Sequence, residues 1–202
     1  MRRLLPDPDP GPLDVAALIA GLALGDRATA ERPYTIANFI EAADGRASFQ
    51  GRSSALGDAG DKQVFRALRS VCDVVLAGTG TLAAEHYGLL VRDDELRAAR
   101  EARGLPVQPL LCTVSRSGHV SREIPLLDEP DGRMIIYSGA PVDLGDVAAR
   151  VEVVTVEPAL SLAVIVRLSE APAVGVVEAA ERTKWSAGPI ATVASNAALV
   201  AT

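Results

Sequence analysis

Short apolar runs alternate with helix-like segments along most of this chain of 202 residues, and this alternation limits the possible fold more than any other feature. The strand-like runs lie at 33–40, 73–78, 108–114, 132–138, 151–156 and 173–178. The helical patterns lie at 13–24, 62–72, 82–88, 143–150 and 159–170. Strands that alternate with helices form a largely parallel sheet, covered on both faces. The sequence therefore predicts an α/β fold with a mostly parallel central sheet flanked by helices.

Three of these segments carry more detailed expectations. The helix over 62–72 places its apolar residues on one face. The strand over 33–40 is rich in apolar residues and is expected to be buried on both faces, ending before the turn pair Asp44-Gly45. The charged segment 91–104 is expected to be exposed.

Composition excludes several classes of partner. The formal net charge of −6 argues against nucleic acid, which usually requires a basic face. No apolar run reaches the roughly 20 residues of a membrane span, and we expect a cytoplasmic protein. Cys72 and Cys112 are predicted to be buried apolar residues without a disulfide, and His86 and His119 to be loop residues without a metal.

The run "DVVLAGTGTL" (73–82) ends a predicted strand with two closely spaced glycines, Gly78 and Gly80. In a parallel sheet, ligands bind beyond the carboxyl ends of the strands, where glycines let the backbone approach a phosphate. Thr81 is predicted to cap the following helix. A tight strand-to-helix turn explains the same glycines, and Ala83 stands where a G-x-G-x-x-G fingerprint needs its third glycine.

Two arginines follow these elements at positions from which they could reach one edge of the sheet. Arg69 flanks the apolar face of its helix, and Arg92 follows the glycine turn. With Ser53 they would form a clamp for a phosphate, because arginine binds phosphate through two parallel hydrogen bonds. Chance placement of two of the chain's 20 basic residues is the alternative.

An ordered set of motifs resembles the reductase of riboflavin biosynthesis: "NFIEAADGR", then Ser53, "FRALRSVCDVVLAGTGTLAAEHYGLLVR" and "LLCTVSRSG". The resemblance implies a dihydrofolate-reductase-like fold, a homodimer, and NADPH-dependent reduction of 5-amino-6-(5-phosphoribosylamino)uracil to its ribitylamino form. The zinc-ligand motifs of the deaminase domain in bifunctional members are absent. We expect an N-terminal extension over 1–31, a reductase domain over 32–178 and a divergent tail over 179–202.

The resemblance also implies roles for individual residues. It assigns the phosphorylated substrate to Ser53, Arg69, Leu89, Arg92 and Glu178. It assigns NADPH to Ala55, Gly78, Gly80, Thr81, Glu85 and Ser115. Asp44 would line the cleft where the nicotinamide meets the sugar, as the catalytic residue, or would be only a turn residue before Gly45. Ala55 stands where several members have Trp, and Glu85 where Asp is usual.

Two other functions stay open. A reductase of the same fold could act on a pterin or another small imine or carbonyl compound, in which case Arg69 and Arg92 would be dispensable. The chain could instead bind a cofactor with little or no turnover.

The second of these alternatives depends on the C-terminal part, which looks incomplete or divergent. Glu178 is followed by Ala179 and Ala180, whereas the family has a Glu-Gly-Gly-Pro loop over the cofactor. A frame change in a GC-rich gene, a truncation and natural divergence each explain this tail. We expect weakened NADPH binding, low turnover and a tendency to associate, because Cβ atoms would enter the loop and a sheet edge would be exposed.

Overall fold

The computed structural model describes residues 11–29, 33–53, 55–156 and 174–178. Within these residues six strands form one sheet, and every pair of neighbouring strands is parallel. The strands are β1 (Tyr34–Ala37), β2 (Val74–Ala77), β3 (Leu110–Ser115), β4 (Arg133–Ser138), β5 (Arg150–Thr155) and β6 (Val174–Glu178). The predicted α/β class with a mostly parallel sheet flanked by helices is therefore confirmed.

The order of the strands across the sheet is β1-β6-β2-β3-β4-β5. The last strand in sequence, β6, thus lies between β1 and β2, with Tyr34 paired to Val174 and Ala77 paired to Glu178. The carboxyl ends of β1, β6 and β2 consequently meet at one edge of the sheet.

In the part of the chain that the structure describes, four α-helices accompany the sheet, and three of them have an aspartate as N-cap residue. They are α1 (Val15–Gly21), α2 (Ala59–Val71), α3 (Thr79–Ala84) and α4 (Asp94–Glu101). The side chains of Asp14, Asp58 and Asp93 accept hydrogen bonds from backbone N–H groups in the first turns of α1, α2 and α4. The predicted helix over 13–24 corresponds to α1, which is followed by a 3-10 helix over Leu24–Arg27. The predicted helix over 62–72 corresponds to α2.

Helix α3 begins earlier than predicted. Gly78 is its N-cap residue, so Gly80 and Thr81 lie inside the first turn and Thr81 is not the cap. The sequence predicts the helix start at Thr81 because threonine is a favoured N-cap residue. Here Gly80 has helical geometry, and a Cβ atom at this position would meet nothing within 4 Å.

Two further expectations were wrong. Strand β1 ends at Ala37, only Thr35 in it is buried, and Phe39 beyond it is 59% exposed, because β1 is an edge strand. No helix forms over 143–150, since Gly145 has a φ of +60° and its N–H donates to the Asp143 carboxylate in a turn. The predicted helix over 159–170 and the tail over 179–202 lie outside the described residues.

Side chains alternate between the two faces of the sheet and form two apolar clusters. On one face Val75, Leu111 and Ile136 pack with residues of α1, α2 and α3 in the main core. On the other face lies a smaller cluster of Leu76, Cys112, Ile135 and Tyr137. Both cysteines are buried, as predicted, and burial raises the pKa of the Cys112 thiol to about 12.

The charged segment 91–104 is not simply a solvated surface. It contains α4, and the Arg100 side chain in this helix is completely buried. Its guanidinium donates to the backbone oxygens of Cys72 at 2.7 Å and Pro106 at 2.8 Å, and to those of Arg69 and Ser70 at 3.3 Å. Arg100 therefore caps the carboxyl end of α2, and removal from water lowers its pKa.

None of the helices in the described ranges combines the length and the apolar character that crossing a membrane requires.

Candidate active site

A cavity of about 640 Å³ opens beside the carboxyl ends of β1 and β2. Its wall is built by four parts of the chain that are distant in sequence. These are the segment after β1, Ser53, one side of α2, and the stretch from α3 to the start of α4. Because the parallel strands bring their ends to one edge, segments that follow different strands meet there.

The cavity brings together four of the five residues predicted to bind the substrate. Its wall contains Ser53, Arg69, Leu89 and Arg92. The Arg92 side chain is exposed and its guanidinium lies against Gly88, leaving no space there for a Cβ atom. For the fifth residue, Glu178, the structure describes only the backbone, which pairs with Ala77 at the same edge of the sheet.

Arg69 is held among aromatic side chains. Its guanidinium carbon lies over the Phe65 ring at 4.0 Å from the ring centroid and over the Tyr87 ring at 4.9 Å. Phe65 precedes Arg69 by one turn of α2, and Tyr87 follows α3. Contacts of this kind attract a cation to the ring face.

Ser53 and Glu85 are joined directly, although the resemblance assigns the first to the substrate and the second to NADPH. One carboxylate oxygen of Glu85 accepts a hydrogen bond from the Ser53 N–H at 2.7 Å and another from its hydroxyl at 2.9 Å. This contact ties the loop that contains Ser53 to the end of α3, across the cavity wall.

The segment carrying Leu89 and Arg92 is fixed by a buried glutamine. The Gln108 amide accepts a hydrogen bond from the Val91 N–H at 3.0 Å and donates one to the Val91 carbonyl at 2.6 Å. Gln108 thereby satisfies both polar groups of a buried residue that lies outside any strand. No sequence motif indicates this role of Gln108.

Of the residues predicted to bind NADPH, Thr81 and Glu85 line the cavity. Gly78 and Gly80 lie at the adjacent sheet edge with exposed backbone, although neither is part of the cavity wall. Ala55 is exposed and also outside the wall. Ser115 ends β3, outside the wall as well, and donates its hydroxyl hydrogen to the His119 carbonyl at 2.9 Å.

Asp44 is not brought to the cavity. It is exposed, its carboxylate accepts a hydrogen bond from the Arg46 N–H at 3.2 Å, and it pairs with the Arg46 guanidinium at 3.4 Å. In this structure Asp44 has the geometry of a turn residue before Gly45, which has a φ of +81°.

The cavity wall also contains cationic residues that sequence reasoning missed. Lys62 and Arg66 lie on α2 in a row with Arg69, spaced by four and three residues. Residues at this spacing share one helix face, and that signal could have found them. Together with Arg92 they give the wall four cations against the three carboxylates of Asp61, Glu85 and Asp93, in a chain whose net charge is −6.

Among the residues that the structure describes, no cluster of three or more His, Cys, Asp or Glu side chains could hold a metal ion. The chemistry of the wall is instead that of arginine, lysine, carboxylate and hydroxyl groups arranged around apolar side chains.

Comparison with known proteins identified a matching family model and similar solved structures. A pyrimidine reductase-like protein from Corynebacterium diphtheriae is 21% identical, with a TM-score of 0.47, over 59% of this chain and 55% of that chain. The chain thus matches about half the length of that neighbour. No curated protein matches it. The family model of the RibD C-terminal domain matches residues 33–171, well over half of the sequence. As the sequence motifs predict, the chain belongs to the RibD C-terminal domain family.

Proposed function

We propose that this chain is an NADPH-dependent reductase that converts 5-amino-6-(5-phosphoribosylamino)uracil to the ribitylamino form. The observation that carries the proposal is the convergence of Ser53, Arg69, Leu89 and Arg92 on one cavity. These are the residues that the family resemblance assigns to the phosphorylated substrate, and they come from separate parts of the sequence. Membership of the RibD C-terminal domain family supports the same reaction.

The charges of the cavity favour an anionic ligand. Arg69 and Arg92 offer planar guanidinium groups that can each bind two phosphate oxygens. This chemistry supports a phosphorylated substrate over an uncharged pterin, which would gain little from two arginines.

The sheet edge next to the cavity fits a dinucleotide. A Cβ atom at Gly80 would meet nothing within 4 Å, and one at Gly78 would meet only the Thr81 hydroxyl at 3.7 Å, so a ligand could approach the backbone there. Gly78, Gly80 and Thr81 would hold the cofactor, with Glu85 at the boundary with the substrate. When bound, the nicotinamide supplies the hydride.

The residues of the chain would position the substrate relative to the cofactor. The arginines would anchor the phosphate, while Ser53 and the apolar Leu89 would set the position of the sugar within the cavity. Holding two reactants in one orientation contributes much of the rate of such a bimolecular reaction. Tyr87, Leu90 and Val91 line the cavity and are buried, so this part of the wall is shielded from solvent on its inner side.

The test separates binding from turnover. NADPH affinity is measured by fluorescence titration, and NADPH oxidation by absorbance, with the phosphoribosyl substrate, with its dephosphorylated form and with a pterin. We expect Arg69→Ala to lower kcat/KM for the phosphorylated substrate roughly ten- to a hundredfold, through loss of a charge-assisted contact. Arg122→Ala, at an exposed ion pair with Asp128, serves as the control.

Each outcome assigns a different function. Unchanged kinetics in Arg69→Ala would contradict the proposed phosphate site, and turnover of a pterin would favour the second reductase hypothesis. NADPH binding without oxidation would indicate a cofactor-binding protein, as the expectation drawn from Ala179 and Ala180 allows. Turnover of order one per second or more would contradict that expectation. The proposed homodimer is tested on the same samples by analytical ultracentrifugation.

A further inference from the structure

We propose that Phe65 and Tyr87 are positioning residues, which hold the Arg69 guanidinium ready to bind the phosphate of the substrate. This inference rests on the proposed function for the identity of the ligand. It goes beyond that function because neither aromatic residue belongs to the set that the family resemblance assigns to a ligand.

The rings of Phe65 and Tyr87 both contact the Arg69 guanidinium directly. The Arg69 guanidinium carbon lies 4.0 Å from the Phe65 centroid and 4.9 Å from the Tyr87 centroid, within the range of a cation–π contact. All three residues line the same cavity. The two rings come from different elements, α2 and the segment after α3, so their contacts restrain the arginine from two directions.

The Tyr87 ring is buried, whereas the Phe65 ring is half-buried. Tyr87 is only 8% exposed and belongs to the main core, so its ring is a fixed support. Phe65 is half-buried and faces the cavity, and a phenylalanine there contributes less to core packing than Tyr87 does. Core packing alone therefore does not explain a phenylalanine at position 65, whereas contact with the Arg69 guanidinium does.

Restraint of Arg69 favours ligand binding for two reasons. A free arginine side chain loses much rotamer freedom when it binds an anion, and a side chain that is already held loses less. A guanidinium also carries its five N–H donors in its plane, so contact of the rings with its face does not itself occupy these donors.

The test compares ring-removing and ring-retaining variants. Phe65→Leu and Tyr87→Leu remove a ring, whereas Tyr87→Phe keeps the ring and removes only the hydroxyl. We expect each ring-removing variant to raise KM for the phosphorylated substrate about three- to tenfold, the size of one cation–π contact, with kcat nearly unchanged. Tyr87→Phe should bind like the parent chain. The dissociation constant for ribose 5-phosphate, measured by calorimetry, should follow the same pattern without any turnover.

A double-mutant cycle distinguishes positioning from a structural role. In an Arg69→Ala background, Phe65→Leu should have no further effect on KM, because the side chain that the ring positions is gone. The dephosphorylated substrate should not distinguish Phe65→Leu from the parent chain. An equal loss for both substrates, or a full additional loss in the Arg69→Ala background, would overturn the inference.

The same variants separate this inference from the proposed function. If Arg69→Ala weakens binding of the phosphorylated substrate and neither Phe65→Leu nor Tyr87→Leu does, the positioning role is overturned and the proposed function stands. If Arg69→Ala has no effect, the phosphate site itself is wrong, and the positioning role falls with it. Should Tyr87→Leu fail to fold, Phe65→Leu decides the question alone, because Phe65 is half-buried.

Discussion

Single side chains set the shape of the candidate site, and the contact between Ser53 and Glu85 is the clearest case. One carboxylate oxygen accepts two hydrogen bonds from a residue 32 positions away in sequence. A hydrogen bond to a charged acceptor contributes about 1.5 to 3 kcal/mol, which is more than a neutral one contributes. We infer that Glu85 holds the loop at Ser53 in place, whether or not it also contacts a cofactor.

Removing the Glu85 carboxylate should release this loop. In Glu85→Ala the Ser53 N–H loses its acceptor, and the free energy of local opening should fall by about 1 to 3 kcal/mol. Hydrogen exchange at the Ser53 amide measures this directly. Glu85→Gln keeps a carbonyl oxygen in place and should show a smaller change. Identical exchange rates in all three chains would show that the contact does not hold the loop.

Gly80 tests whether a cofactor approaches the backbone after β2. Because a Cβ atom at position 80 would meet no atom beyond its own helix backbone within 4 Å, Gly80→Val should keep its free energy of unfolding within about 1 kcal/mol of the parent value. If NADPH lies against this backbone, the same substitution should weaken its binding about tenfold or more. Urea unfolding and fluorescence titration measure the two effects.

Gly118→Ala is the matched control for Gly80→Val. Gly118 has a φ of +77°, and a Cβ atom there would overlap the Pro141 carbonyl oxygen, so this variant should lose stability. Retained NADPH affinity in Gly80→Val, or loss of its fold, would show that Gly80 serves packing and not the cofactor.

At the scale of elements, α4 stabilises the end of α2 through one buried side chain. The last carbonyl groups of a helix lack partners within the helix. Arg100 donates to the carbonyls of Arg69, Ser70 and Cys72, and so replaces the water that would otherwise bind them. Because Arg69 lies in this last turn of α2, the cap also fixes the backbone from which the proposed phosphate ligand projects.

Arg100→Met should therefore destabilise the protein by about 2 to 4 kcal/mol, since several buried carbonyls lose their donor. Arg97→Met, on the same helix, removes only ion pairs that are partly exposed, with Asp94 and Asp131, and should change stability by less than about 1 kcal/mol. Urea unfolding of both variants provides the comparison. Equal effects would contradict the capping role of Arg100.

Gln108 has a comparable role for the segment before α4. Gln108→Met should leave the buried N–H and carbonyl of Val91 without partners and cost about 2 kcal/mol of stability. Because Arg92 is the next residue, KM for the phosphorylated substrate should also rise. Gln63→Met, at an exposed position of α2, is the control and should change neither quantity. A rise in KM without a loss of stability would contradict this explanation.

Most helices and strands could be predicted from sequence, whereas the contacts between elements distant in sequence could not. Helix α2 and the central strands follow from periodicity, because burial of an apolar face fixes both. Arg100 was predicted to be exposed because its sequence neighbours are charged, and only packing against α2 explains its burial. The helix expected near 143–150 failed for a local reason, the turn at Gly145.

At the scale of the whole molecule, the small cluster on the second face of the sheet should make the folded protein less stable at alkaline pH. Burial raises the Cys112 pKa from an ordinary value of 9.0 to about 12, and burial also raises that of Tyr137. Between about pH 9 and 12 the native thiol keeps its proton and the unfolded thiol loses it. Unfolding then releases a proton, so stability is fully present below pH 9 and falls as pH rises.

We therefore expect the free energy of unfolding to fall above about pH 9, with Cys112 contributing up to about 1.4 kcal/mol per pH unit. Cys112→Ala should show a smaller slope over the same range, although its stability at neutral pH will be lower because of the smaller side chain. Urea unfolding curves at pH 8, 9, 10 and 11 measure the slope. Parallel pH profiles for the two chains would show that this thiol does not titrate as its burial implies.

The overall architecture and the family were predicted more completely than the site. Alternating strands and helices determine a parallel sheet, and the ordered motifs identify the family. The site depends on which segments meet, and this is why Tyr87, in the segment after α3, was not assigned to it. Lys62, Phe65 and Arg66 lie on α2 with Arg69, where helical spacing could have indicated them. Asp44 was placed near the chemistry by resemblance, but a turn holds its carboxylate at the surface.

The position of β6 between β1 and β2 sets an order in time as well as in space. Tyr34 pairs with Val174, so during synthesis β1 emerges about 140 residues before the strand that joins it to the sheet. At about 5 to 20 residues per second, the ribosome needs roughly seven to thirty seconds to deliver that partner. The segment with Asn38, Phe39 and Ile40, which follows β1 and forms one wall of the cavity, reaches its final place only then. The nascent chain can complete its α2 helix early, but the ligand cavity is among the last parts of the protein to form.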